Sequence, residues 1–414
     1  MLILKAPEQI LNSTIHLPGS KSISNRFLIL KEVVAINLTL ENISTSVDTQ
    51  HLQKALEQIK NKSGSTIDIG HAGTDMRFLT AYLSCTEGEW ILTGSDRMKQ
   101  RPIGELVDAL KELGADITYI ENENFPPLKI KGKKLTGGKI EMDGSISSQF
   151  ISALLLVAPK FENGLELTLK NDIVSWPYIK MTTDLLSEFG VQVSKNLNTI
   201  SVSKSLIINL KSLILVESDW SAASYWYSLI ALSKNASITL KGLNRSSLQG
   251  DSILPEIYKE FGVSSEFKQD ALILTKNSSP AKNFAYDFTN CPDLAQTVAV
   301  TCFGLGIKAE LTGLKTLKIK ETDRISALKT ELEKFGADVS ITENSILINN
   351  TRLKIQDRLL TIETYNDHRM AMSFAPLALV YGPLNIQNPE VVSKSYPLFW
   401  EDLKSVGFSV NLQP

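Results

Sequence analysis

A repeat of about 70 residues restricts the fold more than any other feature of this sequence. Five segments (ELVDALKELGA, YIKMTTDLLSEFGV, ILPEIYKEFGV, ISALKTELEKFGA and FWEDLKSVGF) carry apolar residues at i, i+3 or i+4 and i+7. That spacing marks a helix with one buried face. Each segment closes in a glycine next to an apolar residue. These are Gly114, Gly190, Gly262, Gly336 and Gly407, spaced 76, 72, 74 and 71 residues apart. Glycine suits the left-handed turn that ends many helices. The stretches that follow, DITYI, VQVSK, DVSIT and FSVNL, alternate apolar and polar residues as half-buried strands do. HLQKALEQIKNKSGSTIDIG reads as a sixth, looser copy, with a polar insertion between its helix and its strand. A period near 70 is too long for a solenoid turn. It points to a compact βα module present six times, divided three plus three.

With 414 residues the chain exceeds one ordinary core, so two domains are expected. The 43 Lys and Arg nearly balance the 45 Asp and Glu, which argues against general affinity for nucleic acid or membrane surfaces. A balanced total still leaves room for a concentrated basic pocket. Cys85, Cys291 and Cys302 are spaced for neither a disulfide framework nor a zinc site. The four histidines form no ligand pair, so neither metal nor other cofactor is expected. MLILKAPEQ is too short in apolar residues for a signal peptide, and no apolar run reaches the roughly 20 residues that span a bilayer. A cytoplasmic enzyme or binding protein is the resulting reading.

Basic and hydroxyl residues gather in the loops that enter the helices: Arg101 in MKQRPIGEL, Ser175 and Tyr178 in IVSWPYIK, Lys320, Glu321 and Arg324 in LKIKETDRISAL, and Lys394 in VVSKSYPLFW. LPGSKSISNRF adds Gly19, Ser20, Lys21, Ser22 and Arg26. DGSISSQF adds Ser147, Ser148 and Gln149, NCPDLAQ adds Asp293, and YNDHRMAM adds Asn366, Asp367, His368 and Arg369. Helix N-termini present free N–H groups and a positive dipole end, so such loops are prepared for anions. Singly, Ser147, Asp293 and Asn366 read equally well as N-caps. Lys320 and Arg324 could flank a solvated face, and Glu321 and Arg324 could pair at i,i+3. The recurrence of seven basic residues at helix entries favours an anion cleft. The GxxxxGK[ST] nucleotide loop is absent.

LPGSKSISNR, HAGTDMRFLTA, QRPI, DGSISSQF, IKETDR and YNDHRMAM follow one another across nearly the whole chain. In this order they resemble the 5-enolpyruvylshikimate-3-phosphate synthase family. The resemblance implies an α/β fold of two domains, each an inside-out α/β barrel of three βαβαββ repeats. Residues 1–19 and 218–414 would form a discontinuous domain with most phosphoenolpyruvate and catalytic loops. Residues 20–217 would form the inserted domain with most shikimate 3-phosphate contacts. The implied reaction adds the 5-hydroxyl of shikimate 3-phosphate to C2 of phosphoenolpyruvate and then eliminates phosphate, by a cytoplasmic monomer without cofactor or metal. Closure of the two domains on the first anion is expected to bring the basic loops together.

The resemblance places shikimate 3-phosphate on Lys21, Ser22, Arg26, Ser147, Ser148, Gln149, Ser175, Tyr178, Asp293 and Lys320. Phosphoenolpyruvate falls on Lys21, Gly73, Arg101, Gln149, Arg324, Arg369 and Lys394. Lys21, Asp293 and Glu321 are the proton-transfer candidates, with His368 beside them. Lys320 and Arg324 flank Glu321 and favour its ionised form, which counts against it as the acid. The family segment usually reads close to NAGTAMRPL, so His71, Asp75 and Phe78 depart from it. Asp75 is placed either to pair with Arg77 or to face away from the anion. Thr316 stands where some relatives have Asn. Two rivals fit less well. The related transferase acting on a UDP-amino sugar carries a reactive Cys where MKQRPI has none. A non-catalytic anion-binding protein would have lost Lys21, Asp293 and Glu321.

Overall fold

The computed structural model describes residues 1–34, 38–205, 212–349 and 359–413. It divides into two compact units, Met1–Gly19 with Glu217–Pro414, and Ser20–Val216. Four of the five four-stranded sheets share one pattern. In each, an opening strand runs parallel to a second, and a hairpin completes the sheet on the second strand's other side. In the inserted unit, Thr66–Asp68 pairs with Gly88–Thr93 across the helix Gly73–Ser84. After the helix Gly104–Glu112 comes the hairpin Asp116–Tyr119 and Leu128–Gly132. Gly138–Asp143 and Leu165–Lys170 open the next copy around the helix Ser148–Val157. In the discontinuous unit the parallel pairs are Ser13–His16 with Ser237–Lys241, Asn283–Asp287 with Lys308–Thr312, and Leu360–Ile362 with Leu384–Ile386.

Two copies depart from this pattern. The sixth has two strands among the described residues, Leu38–Glu41 parallel to Ser212–Leu215. The segment TIDIG does not close that copy. Thr66–Asp68 instead opens the following one, because the helix and strand immediately after it form a parallel crossover. The last sheet takes an inner strand from the chain's start: Leu2–Lys5 lies antiparallel to both Leu384–Ile386 and Ser409–Leu412.

Helix ends follow the glycine pattern. Gly114, Gly190, Gly262, Gly336 and Gly407 all take positive φ, from 72° to 103°. At Gly336 the cap is bonded twice, Gly336 N to Glu333 O and Ala337 N to Leu332 O. The loose copy ends instead on Lys62, at φ 50°.

The first helix of each module has almost no polar face. Trp220–Leu232 buries every residue except Ser221, Ser148–Val157 every residue except Gln149, and His368–Phe374 all seven. Within the inserted unit, Lys21–Val33, Gly73–Ser84 and Ser148–Val157 pack against one another. Within the discontinuous unit, Trp220–Leu232, Ala295–Leu305 and His368–Phe374 do the same. Buried hydroxyls pair across these helices, as in Ser224–Thr297–Ser373 at 3.2 and 3.1 Å. Among the described residues no helix is long and apolar enough to cross a membrane.

Candidate active-site residues in each unit

In every complete module both helices follow a strand of the parallel pair, and the polar residues singled out above cluster at those junctions. In the inserted unit, Lys21 is the first residue of its helix, and its Nζ lies 2.9 Å from Asp48 Oδ2. Asp48 sits in the first turn of Val47–Asn61, where the helix dipole also favours a carboxylate.

Arg26 is buried behind Ser22. Its guanidinium donates to Thr182 Oγ1 (2.7 Å), Ser22 O (2.9 Å), Ser152 Oγ (3.1 Å) and Tyr178 O (3.2 Å), and lies 5.5 Å from the Phe78 ring. No carboxylate pairs with it among the described residues, and burial lowers it to about 10. Four of its five donors are used. Arg26 therefore braces three helices.

Gly73 begins the helix Gly73–Ser84. A Cβ there would stand 2.4 Å from Arg101 Nη1, so only glycine lets the guanidinium lie against this backbone. Arg77 fixes the approach by donating to Gly73 O (3.1 Å) and Pro102 O (2.8 Å). Asp75 turns away from these groups and accepts from Asn25 Nδ2 at 2.7 Å. Ser147 caps the helix Ser148–Val157 through Gln149 N, while Gln149 Nε2 reaches Thr74 Oγ1 at 3.2 Å. Gln149 and Gly73 are thereby neighbours. Ser175 takes φ 54° at the entry to Trp176–Glu188, where Tyr178 lies one turn in.

In the discontinuous unit the solvated-face reading of Arg324 fails. Its side chain is 2% exposed and meets three carboxylates: Asp367 through Nε (2.7 Å), Glu321 through Nη2 (2.9 Å) and Asp293 through Nη1 (3.1 Å). Burial works against its charge, but Asp367, Glu321 and Asp293 outweigh it and raise the guanidinium further. Arg369 Nη2 approaches the other oxygen of Asp293 at 3.0 Å. Asp293 is thus no helix cap, since it bridges two guanidinium groups. Burial would raise its carboxyl, yet Arg369, Lys320 and Arg324 prevail and hold it well below the usual carboxylate range.

The N-cap of His368–Phe374 is Asp367, not Asn366, and it accepts from Arg369 N at 2.9 Å. His368 is buried, its Nδ1 3.7 Å from Asp367 Oδ1. Lys394 Nζ lies 3.3 Å from Asn366 O. Lys320 ends a 3₁₀ turn and is half-buried. Among the described residues no group of three or more His, Cys, Asp or Glu is disposed to hold a metal.

Several partners escaped the sequence reading. Asp48 holds Lys21 across 27 residues, and Ser221 and Tyr225 meet Arg369 from a helix more than 140 residues earlier. No local spacing announces such pairs. Asp367 did carry a signal, an acidic residue directly before a helix, but its role as the anchor of Arg324 did not follow from it.

These features define an α/β protein whose helix entries hold cations against buried carboxylates, a class suited to handling anionic metabolites. The chain belongs to the EPSP synthase (3-phosphoshikimate 1-carboxyvinyltransferase) family, whose model matches residues 57–403. It is 48% identical to a Bacteroides fragilis protein named 3-phosphoshikimate 1-carboxyvinyltransferase, over 99% of this chain and 98% of that one. A protein of the same name from Photobacterium damsela subsp. piscicida is 37% identical, over 97% and 98% of the two chains. Among solved structures, EPSP synthase from Acinetobacter baumannii matches with a TM-score of 0.77 and 23% identity over the full length of both chains, a likeness of fold.

Proposed function

We propose that this protein transfers the enolpyruvyl group of phosphoenolpyruvate to the 5-hydroxyl of shikimate 3-phosphate and releases phosphate. Membership of the family and the shared name of its relatives support the reaction. The structural observation that carries it is the convergence of Arg324 and Arg369 on Asp293. Two guanidinium forks suit the carboxylate and phosphate of one small dianion, and the carboxylate between them is the base candidate.

In this reading Lys21, Ser22, Arg26, Ser147, Ser148, Gln149, Ser175 and Tyr178, with Asp293 and Lys320, hold shikimate 3-phosphate. Arg101, Arg324, Arg369 and Lys394, with Lys21, Gln149 and the Gly73 backbone, hold phosphoenolpyruvate. An arriving anion competes with Asp293 for its two arginines and so restores its basicity. Asp293 then takes the proton of the 5-hydroxyl as the oxygen bonds to C2, and C3 gains a proton from Glu321 or Lys21. The resulting tetrahedral intermediate loses phosphate from C2 and a proton from C3, which restores the double bond. Lys21 protonates the departing phosphate, and His368 supports Asp367 beside Arg324. Holding both reactants in place contributes about 7–11 kcal/mol in well-aligned cases.

We also read each unit as an inside-out α/β barrel of three βαβαββ modules, with 1–19 and 218–414 carrying most phosphoenolpyruvate contacts and 20–217 most shikimate 3-phosphate contacts. The mutually packed inner helices support this. A cytoplasmic monomer with no nucleic-acid or cofactor requirement completes the reading. The test is phosphate release by the purified protein from phosphoenolpyruvate, with and without shikimate 3-phosphate and with no added metal. Release that needs both substrates is expected. No release with both present overturns the assignment.

A further inference from the structure

Asp251 lies in the 3₁₀ turn Gly250–Ile253 and is 3% exposed. Its Oδ2 accepts a hydrogen bond from Ser221 Oγ, and its Oδ1 has no hydrogen-bond partner. Among the described residues no cation pairs with it directly. Ser221 is the one residue of Trp220–Leu232 that is not buried, and its Oγ also accepts from Arg369 Nη2 at 3.4 Å. Arg369 Nη1 points to Tyr225 Oη, one turn further along that helix, at 3.5 Å. Asp293 occupies the same guanidinium at 3.0 Å. A buried carboxyl thus reaches Arg369 through a single hydroxyl.

The surroundings of Asp251 decide how it responds to charge. Burial raises its carboxyl to about 7, with Asp293 and Asp219 adding to the rise, while Arg369 and the Ser221 hydrogen bond oppose it. The Cys291 thiol also faces it and is itself pushed up, chiefly by burial. Leu254–Lys259 follows directly, and its Glu256 and Lys259 are exposed while its Tyr258 hydroxyl bonds Thr301. Arg369 is the cation that offsets the negative charges near Asp251 among the described residues. An anion bound to Arg369 cancels that offset, and proton uptake becomes the least costly response.

We propose that Asp251 is a positioning residue for the phosphoenolpyruvate site, holding Arg369 through Ser221 and taking up a proton when an anion binds that guanidinium. This rests on the reading of Arg369 as a phosphoenolpyruvate contact. The coupling makes phosphoenolpyruvate binding weaken as pH rises past neutrality, where the proton must be drawn from a more dilute pool.

The test is KM for phosphoenolpyruvate between pH 6 and 9, from phosphate release at saturating shikimate 3-phosphate, in the parent, Asp251→Asn and Ser221→Ala. The substrates titrate identically in all three, so the difference between profiles isolates the protein. In the parent, KM should climb above about pH 7 with a slope approaching tenfold per unit, the limit for one proton. Asp251→Asn should lose that component. Ser221→Ala removes a hydrogen bond to the charged form and should move the midpoint to higher pH. A parent-like profile in Asp251→Asn overturns the proposal. If that variant does not fold, an unmoved midpoint in Ser221→Ala overturns it instead. Arg369→Ala separates the two layers. An unchanged KM there removes Arg369 from the phosphoenolpyruvate site, whereas a raised KM beside an unaltered Asp251→Asn profile removes only the coupling.

Discussion

Asp293 holds two guanidinium groups at once, at 3.1 Å from Arg324 and 3.0 Å from Arg369. Removing it frees two cations and, in the proposed function, removes the base, and the two effects act on different kinetic constants. Asp293→Ala should lower kcat by about 10²–10⁴-fold, the usual share of one general base. KM for phosphoenolpyruvate should not rise, because Arg324 and Arg369 lose a competitor. Steady-state kinetics checks the split, and a raised KM with kcat intact would contradict it. Asp75 makes a stability argument. Burial, and then Asp48, raise its carboxyl well above the usual range, against Lys21 and Asn25. A group that holds its proton more tightly when folded loses stability as pH climbs from its unfolded value, about 3.9, toward its folded one. Asn does not titrate and escapes that loss. The melting temperature of Asp75→Asn relative to the parent should therefore increase from pH 5 to pH 8, by about 2–4 °C for each kcal/mol recovered. Melting curves with the same offset at both pH values would refute it.

At the scale of elements, the start of Gly73–Ser84 shows how closely one backbone is fitted to one side chain. Gly73→Ala would place a methyl 2.4 Å from Arg101 Nη1, inside any allowed contact. Arg101 must then swing off the helix start. KM for phosphoenolpyruvate should rise about tenfold or more, roughly 1.4 kcal/mol, while KM for shikimate 3-phosphate changes less. Equal effects on both substrates would mean that Arg101 does not serve this anion. Elements were also where the sequence was most readable. The five closing glycines and their period announced the helices, because left-handed caps leave a residue-specific mark. Lys62 closes the sixth helix with the same backbone sign and no glycine, so that copy read only loosely. TIDIG looked like a closing strand because alternation gives a strand's existence but not its neighbour, and pairing belongs to tertiary structure. The candidate residues were legible as a list of cations at helix entries. One counter-charge was legible as well, Glu321 at i,i+3 from Arg324, whereas Asp48 and Asp367 reach their cations only through the fold.

At the scale of the whole chain, one unit is contiguous and the other is assembled from both ends. Every described strand of Ser20–Val216 pairs with a strand of the same stretch. The discontinuous unit depends on its first segment twice: Leu2–Lys5 is an inner strand of the last sheet, and Ser13–His16 runs beside Ser237–Lys241. Where the chain leaves and re-enters this unit, Gly19 and Ser218 form an antiparallel bridge. Bridge partners lie about 5 Å apart at Cα, so a short glycine-rich linker can join residue 19 to residue 217. Residues 20–216 expressed alone, and residues 1–19 linked to 217–414, should each melt cooperatively with native helix content. Deleting residues 1–10 from the linked form should abolish its transition, because an inner strand cannot be lost without exposing the edges of both neighbours. Far-UV circular dichroism on heating decides the outcome. A linked form with no transition, beside an inserted unit that folds, would mean that the discontinuous half cannot reach its fold without the other half on the same chain.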